Sequence, residues 1–89
     1  LYLADKTTLI NIMEMVSGLF LSKDIVYQNG KPAYLVDLAK AFEWLFNIKI
    51  GDCYQKHEDV IKRKPGKLTG FLNGLAELIR KEYDKKWYR

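Results

Sequence analysis

Apolar residues recur at helical spacing in four stretches of this chain, separated by short polar or turn-forming breaks. Leu9, Ile10, Ile12, Met13, Val16, Leu19 and Phe20 share one broad face of a first helix. Asp5 is placed to cap that helix, which should end near Ser22 or Lys23, and Gly18 is a weak point inside it. From Asp24 to Tyr34 the period is lost. β-Branched Ile25 and Val26 lead into the tight-turn dipeptide Asn29-Gly30, and Pro32 excludes a helix. A loop is the preferred reading there, with a short β-hairpin as the alternative.

A second helix from about Leu35 to Phe46 is written by Leu35, Leu38, Ala39, Phe42, Leu45 and Phe46. Asp37, Lys40 and Glu43 mark its wet side, and Trp44 falls off the stripe. Asn47 suits a left-handed helix end, after which Ile48 and Ile50 are placed to plug the turn into the core. The third helix, about Asp52 to Lys64, opens on Asp52. Its period turns Cys53, Tyr54, His57, Val60 and Ile61 inward and Gln55, Lys56, Asp59, Lys62 and Arg63 outward. A fourth helix from about Thr69 carries Leu68, Phe71, Leu72, Leu75, Leu78, Ile79 and Tyr83 as its stripe, weakened by Gly70 and Gly74. These patterns predict an all-α fold, one small bundle of about four helices over residues 1–89. The expected core joins Val16, Phe20, Leu38, Phe42, Phe46, Ile61, Leu72, Leu75 and Ile79.

The apolar content of 48% supports a real but small core. No stretch approaches the roughly 18 uninterrupted apolar residues of a membrane span, so no membrane partner is expected. The N-terminus lacks a basic region followed by an apolar run and a cleavage site. A single cysteine, Cys53, cannot form an internal disulfide and fits a reducing, cytoplasmic setting. The chain begins at Leu1 rather than Met, which reads as a piece of a longer protein.

The net charge of +4 changes the picture only through its distribution. Up to Ile48 there are four Lys or Arg against five Asp or Glu; from Lys49 onward there are eleven against six. The basic surplus thus accompanies the third and fourth helices, a weak pointer to a polyanionic partner. A compact apolar helix, a short break and a second helix ending in a basic cluster is also the order of a helix-turn-helix DNA reader. The turn is longer than in the shortest such units. Gln55 and Arg63 have the chemistry to pair bidentately with adenine and guanine edges, and Asp59 can accept from a cytosine amine. Lys56, Lys62, Lys64 and Lys67 can neutralise phosphates. The bland reading of the same residues is a solvated, mixed-charge face of a bundle helix. For Lys62-Arg63-Lys64-Pro65-Gly66-Lys67, complementing the helix C-terminus and holding a sugar-phosphate backbone are equally good readings. The tail Lys85-Lys86-Trp87-Tyr88-Arg89 fits a frayed helix end better than a single-strand binding platform.

Catalytic chemistry has little to stand on. His57, the one histidine, lies on an apolar face and reads as a satisfied core imidazole. Cys53 and His57 alone are too few ligands for structural zinc, and no acid or oxyanion loop accompanies them. Gly66 and Gly70 lack the strand-to-helix setting of a phosphate loop. No enzyme, metal, cofactor or small-molecule substrate is expected.

The run FEWLFNIKIGDCYQKHEDVIKRK, with FLNGLAELIRK close behind, resembles the C-terminal region of RteC-type proteins, regulators carried by conjugative transposons and tetracycline-resistance elements. The resemblance spans about Thr7 to Lys81 and is strongest from Leu38 to Lys64. It implies the DNA-binding part of a transcriptional regulator controlling excision or transfer functions, with double-stranded DNA as partner and a self-dimer as an option. Gly74 stands where that pattern usually has a bulkier or polar residue, which implies different packing there. The alternative is a helical protein–protein interaction or dimerisation module. An apolar surface patch around Trp44, Tyr27 and Tyr34 would favour that alternative; a continuous positive strip along the third helix would favour DNA.

Overall fold

Thr8, not Asp5, opens the first helix. In the computed structural model, which describes residues 1–87, α1 spans Leu9–Ser22 and the Thr8 hydroxyl accepts the Asn11 amide. Asp5 sits one turn too early, where the chain is still in a tight bend closed by the Thr7 amide on the Ala4 carbonyl. α1 ends at Lys23 in the left-handed region, as the expected boundary requires. Its buried positions are Ile12, Met13, Glu14, Val16 and Ser17. Two polar side chains therefore share the innermost face with three apolar ones.

Between Ile25 and Pro32 the chain makes neither a plain loop nor a hairpin of regular strands. One isolated antiparallel bridge joins Val26 to Pro32, with Gly30 at positive φ in the turn. The Tyr27 hydroxyl donates to Asp37 in the first turn of the next helix and accepts the Tyr34 amide, stapling the loop down. The hydrogen bond to Asp37 is also the main reason the Tyr27 phenol titrates above its usual range.

α2 runs Leu35–Phe46 and α3 runs Cys53–Ile61. α1 packs against both, and they touch each other, so the buried cluster is a three-helix core of Ile12, Met13, Val16, Leu35, Leu38, Ala39, Ile50, Cys53 and Val60, with Ala33 from the loop. Phe20, Phe42 and Phe46 only pack against this cluster and are half-buried. α3 stops three residues before Lys64. Pro65 disfavours helical backbone in the residue before it, and the chain leaves the helix through Lys62 as C-cap.

α4, Gly70–Trp87, corrects the expectation of four converging stripes. It contributes no buried residue, and among the described helices it packs against α1 alone. Leu72 sits over Gly18, whereas Leu75 and Leu78 lie towards Asn11 and Thr7, so α4 runs back along α1 towards its N-terminus. Eighteen residues make about 27 Å of helix, and α1 ends before α4 does. Ile79 is left 73% exposed and Ile61 47%, so neither belongs to the core. The projecting helix also explains a radius of gyration of 14.8 Å, where a domain of this length usually has about 12 Å.

The core assignment has a direct test. Met13→Ala should cost about 2–5 kcal/mol, because the side chain is fully buried. Ile61→Ala, at a side chain 47% exposed, should cost well under half as much in the same urea titration. Equal losses would mean that α4 covers Ile61 in solution.

Candidate nucleic-acid interface

The α2–turn–α3 unit is fixed by backbone capping at every step. Asn47 ends α2 in the left-handed region, and the Ile48 amide returns to the Glu43 carbonyl. The Glu43 carboxylate accepts the Ile50 amide at 2.7 Å, which turns Ile50 into the core. Glu43 is thus half-buried, not on the wet side, and serves the turn. Gly51 takes positive φ, and Asp52 caps α3 by accepting the Tyr54 and Gln55 amides. The turn geometry read from Asn47, Ile48, Ile50 and Asp52 is therefore present, and it holds α3 on α1 through Cys53 and Val60.

His57 closes that contact. Its Nδ1 lies 2.8 Å from the Ser17 hydroxyl, and its ring meets Phe20 edge-on. It is a satisfied imidazole, as the sequence suggested, but half-buried at the edge of the core, and Cys53 is buried near the helix start.

The outward face differs from the helical period in two places. Tyr54, read as inward, is exposed on the first turn beside Gln55. Arg63, read as outward, folds back under the loop: its Nη1 lies 2.8 Å from Oε1 of the buried Glu14, and 23% of its side chain is exposed. The reason is that α3 ends at Ile61, so Arg63 no longer follows the helical period. Glu14 Oε2 also accepts the Leu72 amide at 2.7 Å, one of the amides that the start of α4 cannot satisfy within its own helix. A single carboxylate on α1 therefore pins both the basic loop and α4.

Of the remaining candidates, Gln55, Asp59, Lys62, Lys64 and Lys67 are exposed and Lys56 is half-buried. Gln55 Nε2 donates to Asp59 Oδ1 at 3.0 Å, which leaves its second proton and its carbonyl oxygen open for a base edge. Lys62 stands 3.8 Å from Glu58, whose acid interrupts the face together with Asp59. The positive charge is consequently not a continuous strip along α3. It gathers at the two ends of the helix, on exposed Lys49 before it and on Lys62, Lys64 and Lys67 after it. Tyr54 and Lys49 are absent from the sequence-based set; the signal for Lys49 was its place in the turn directly before the Asp52 cap. At the chain end, Lys85, Lys86 and Trp87 are helical and exposed, while Tyr88 and Arg89 lie outside the described residues. No helix is long and apolar enough to cross a membrane among the described residues.

Among curated proteins, the chain is similar to Exportin-T of Chaetomium globosum, 35% identical over 88 residues. That alignment covers 92% of this chain but 9% of the exportin, so the chain spans a small fraction of its length. No solved structure matches. Against protein families, the match is to the family described as RteC protein, over residues 4–86. That span runs from the bend before α1 into the last turn of α4 and takes in the whole α2–turn–α3 unit, and on it the chain belongs to the RteC family.

Proposed function

We propose that this chain is the DNA-binding part of a transcriptional regulator of a conjugative element, acting in the cytoplasm on excision or transfer functions and carrying out no catalysis. The observation that supports this most is the rigid α2–turn–α3 unit. It presents Tyr54 and Gln55 on the first turn of α3, with lysines at both ends of the helix. A recognition helix meets base edges through its N-terminal residues, while flanking cations meet the phosphates. Membership of the RteC family supports the regulatory part of the reading.

A second reading keeps specific support. Trp44 is 83% exposed on α2, Tyr34 is exposed beside Tyr27, and Glu58 and Asp59 place two acids on the outer face of α3. Those features suit a protein partner. Gln55→Ala separates the readings. Measured by fluorescence anisotropy on the full-length regulator or a fused dimer, it should cut the preference for promoter over random duplex by about 1–3 kcal/mol if the amide pairs with a base. Affinity for random duplex should stay as it was, and stability should change little, because only the exposed contact with Asp59 is lost. An unaltered preference removes α3 as the reading helix.

A further inference from the structure

The loop between α1 and α2 is held more firmly than a connection needs to be. Beside the Val26–Pro32 bridge, the Tyr27 amide donates to the Lys31 carbonyl at 2.8 Å and the Ala33 amide to the Ile25 carbonyl at 2.9 Å. The Asn29 side-chain oxygen accepts the Lys31 amide at 3.0 Å, and the Tyr27 hydroxyl ties the whole loop to the start of α2. A loop fixed in this way is a preformed wall, the usual setting of a binding site on a rigid scaffold.

An open cleft of about 590 Å³ lies between this loop and the end of α1. Small-molecule sites usually have roughly 300–1,000 Å³. The walls are aromatic: Phe20 and Tyr27 are half-buried, and Tyr34, 68% exposed, meets Tyr27 edge-on at 5.8 Å between ring centres. Two cations, Lys23 and Lys31, also line the cleft, and no Asp or Glu does. Lys23 is the left-handed C-cap of α1 and Lys31 closes the loop, so the backbone of both is set. Among the described residues no carboxylate stands within 4 Å of either ammonium.

We propose that this cleft binds a small planar aromatic anion, its ring against Phe20 and Tyr34 and its charged group at Lys23 and Lys31. Aromatic walls favour a ring, which they meet by stacking or edge-on. Two unpaired ammoniums, with no acid in the lining, select an anion over a neutral or cationic ring. An aromatic carboxylate and a nucleotide share this chemistry. A protein partner of α2 would be expected to use Trp44, which is not part of the cleft. Phe20 also meets His57 of α3 edge-on, so an occupant touches the ring on which α3 rests. The site does not depend on the DNA reading.

Amide and imidazole NMR of the chain, titrated with 2-naphthoate and separately with adenosine monophosphate, tests it. Saturable shifts at Phe20, Ala33, Tyr34 and His57 are expected with at least one of the two, at a dissociation constant of about a millimolar. Which of them saturates distinguishes a carboxylate from a nucleotide source. 2-Naphthol, with the ring and no charge, and acetate, with the charge and no ring, should each bind about fivefold more weakly or worse. Lys23→Gln with Lys31→Gln should weaken the anion about fivefold and leave 2-naphthol as it was. Lys23→Glu with Lys31→Glu should turn the preference towards 2-naphthylmethylamine, which a merely structural role for the lysines would not do. Circular dichroism should stay unchanged in both variants, because both side chains are exposed. No saturable shift with either anion up to about ten millimolar overturns the proposal. So does binding that ignores the charge of the probe or of residues 23 and 31. Cleft residues that answer to random duplex and to neither small anion would assign the face to nucleic acid and overturn it as well.

Discussion

Glu14→Ala is expected to cost about 3–5 kcal/mol, the range for stripping one partner from a buried ion pair. Glu14 is 2% exposed, and both its oxygens are used, one by Arg63 and one by the Leu72 amide. The substitution leaves a guanidinium half under the loop and an orphan amide at the start of α4. A chain of this size has a total stability of about 4–13 kcal/mol, so the loss approaches what the fold can bear. Glu14→Gln should cost less, about 1–3 kcal/mol, because the amide oxygen still accepts from Leu72 and Arg63 can swing towards water. Arg63→Ala should resemble Glu14→Ala, since it strands a buried carboxylate. Urea titrations of the three variants give the order directly. A cost under about 1 kcal/mol for Glu14→Ala would mean the pair does not form in solution.

That network decides how the DNA variants are read. With its side chain turned to solvent, Arg63→Ala would be a clean probe of base recognition. Held on Glu14, it is a probe of loop and α4 placement, and any loss of DNA binding it causes is indirect. Gln55 remains the informative position.

The helices, the turn and the left-handed Asn47 were legible because each is a local matter: apolar period, cap chemistry and turn residues act within a few positions. Three features were not. Glu14 carries the charge of a solvated residue, and only the approach of Arg63 and Leu72, more than 45 positions away, explains its burial. Arg63 was assigned by extending a helical period past the point where Pro65 ends the helix. The stripe of α4 was read as core because period reports which residues share a face, not how far the neighbouring helix reaches. The same period that placed Val16 and Leu38 correctly therefore misplaced Ile79.

The salt dependence of DNA binding reads the phosphate contacts of the basic loop directly. Lys62, Lys64 and Lys67 are exposed at the end of α3, whereas Arg63 is neutralised by Glu14. Each lysine that meets a phosphate should contribute about −0.9 to the slope of log affinity against log salt. Replacing Lys64 and Lys67 together by Gln should flatten the slope by about two units and weaken promoter and random duplex alike. Between 50 and 200 mM salt that is about a tenfold difference in how far affinity falls. Fold stability should move by no more than about 1 kcal/mol, because removing two charges near a helix C-terminus loses only their interaction with its dipole. Lys62 is the weaker contributor, sharing its charge with Glu58, so the loop lysines are the ones to change. A slope unmoved by the double replacement would assign the basic loop to capping α3. No DNA binding at low salt, in a regulator shown to be dimeric, would transfer the exposed faces of α2 and α3 to a protein partner.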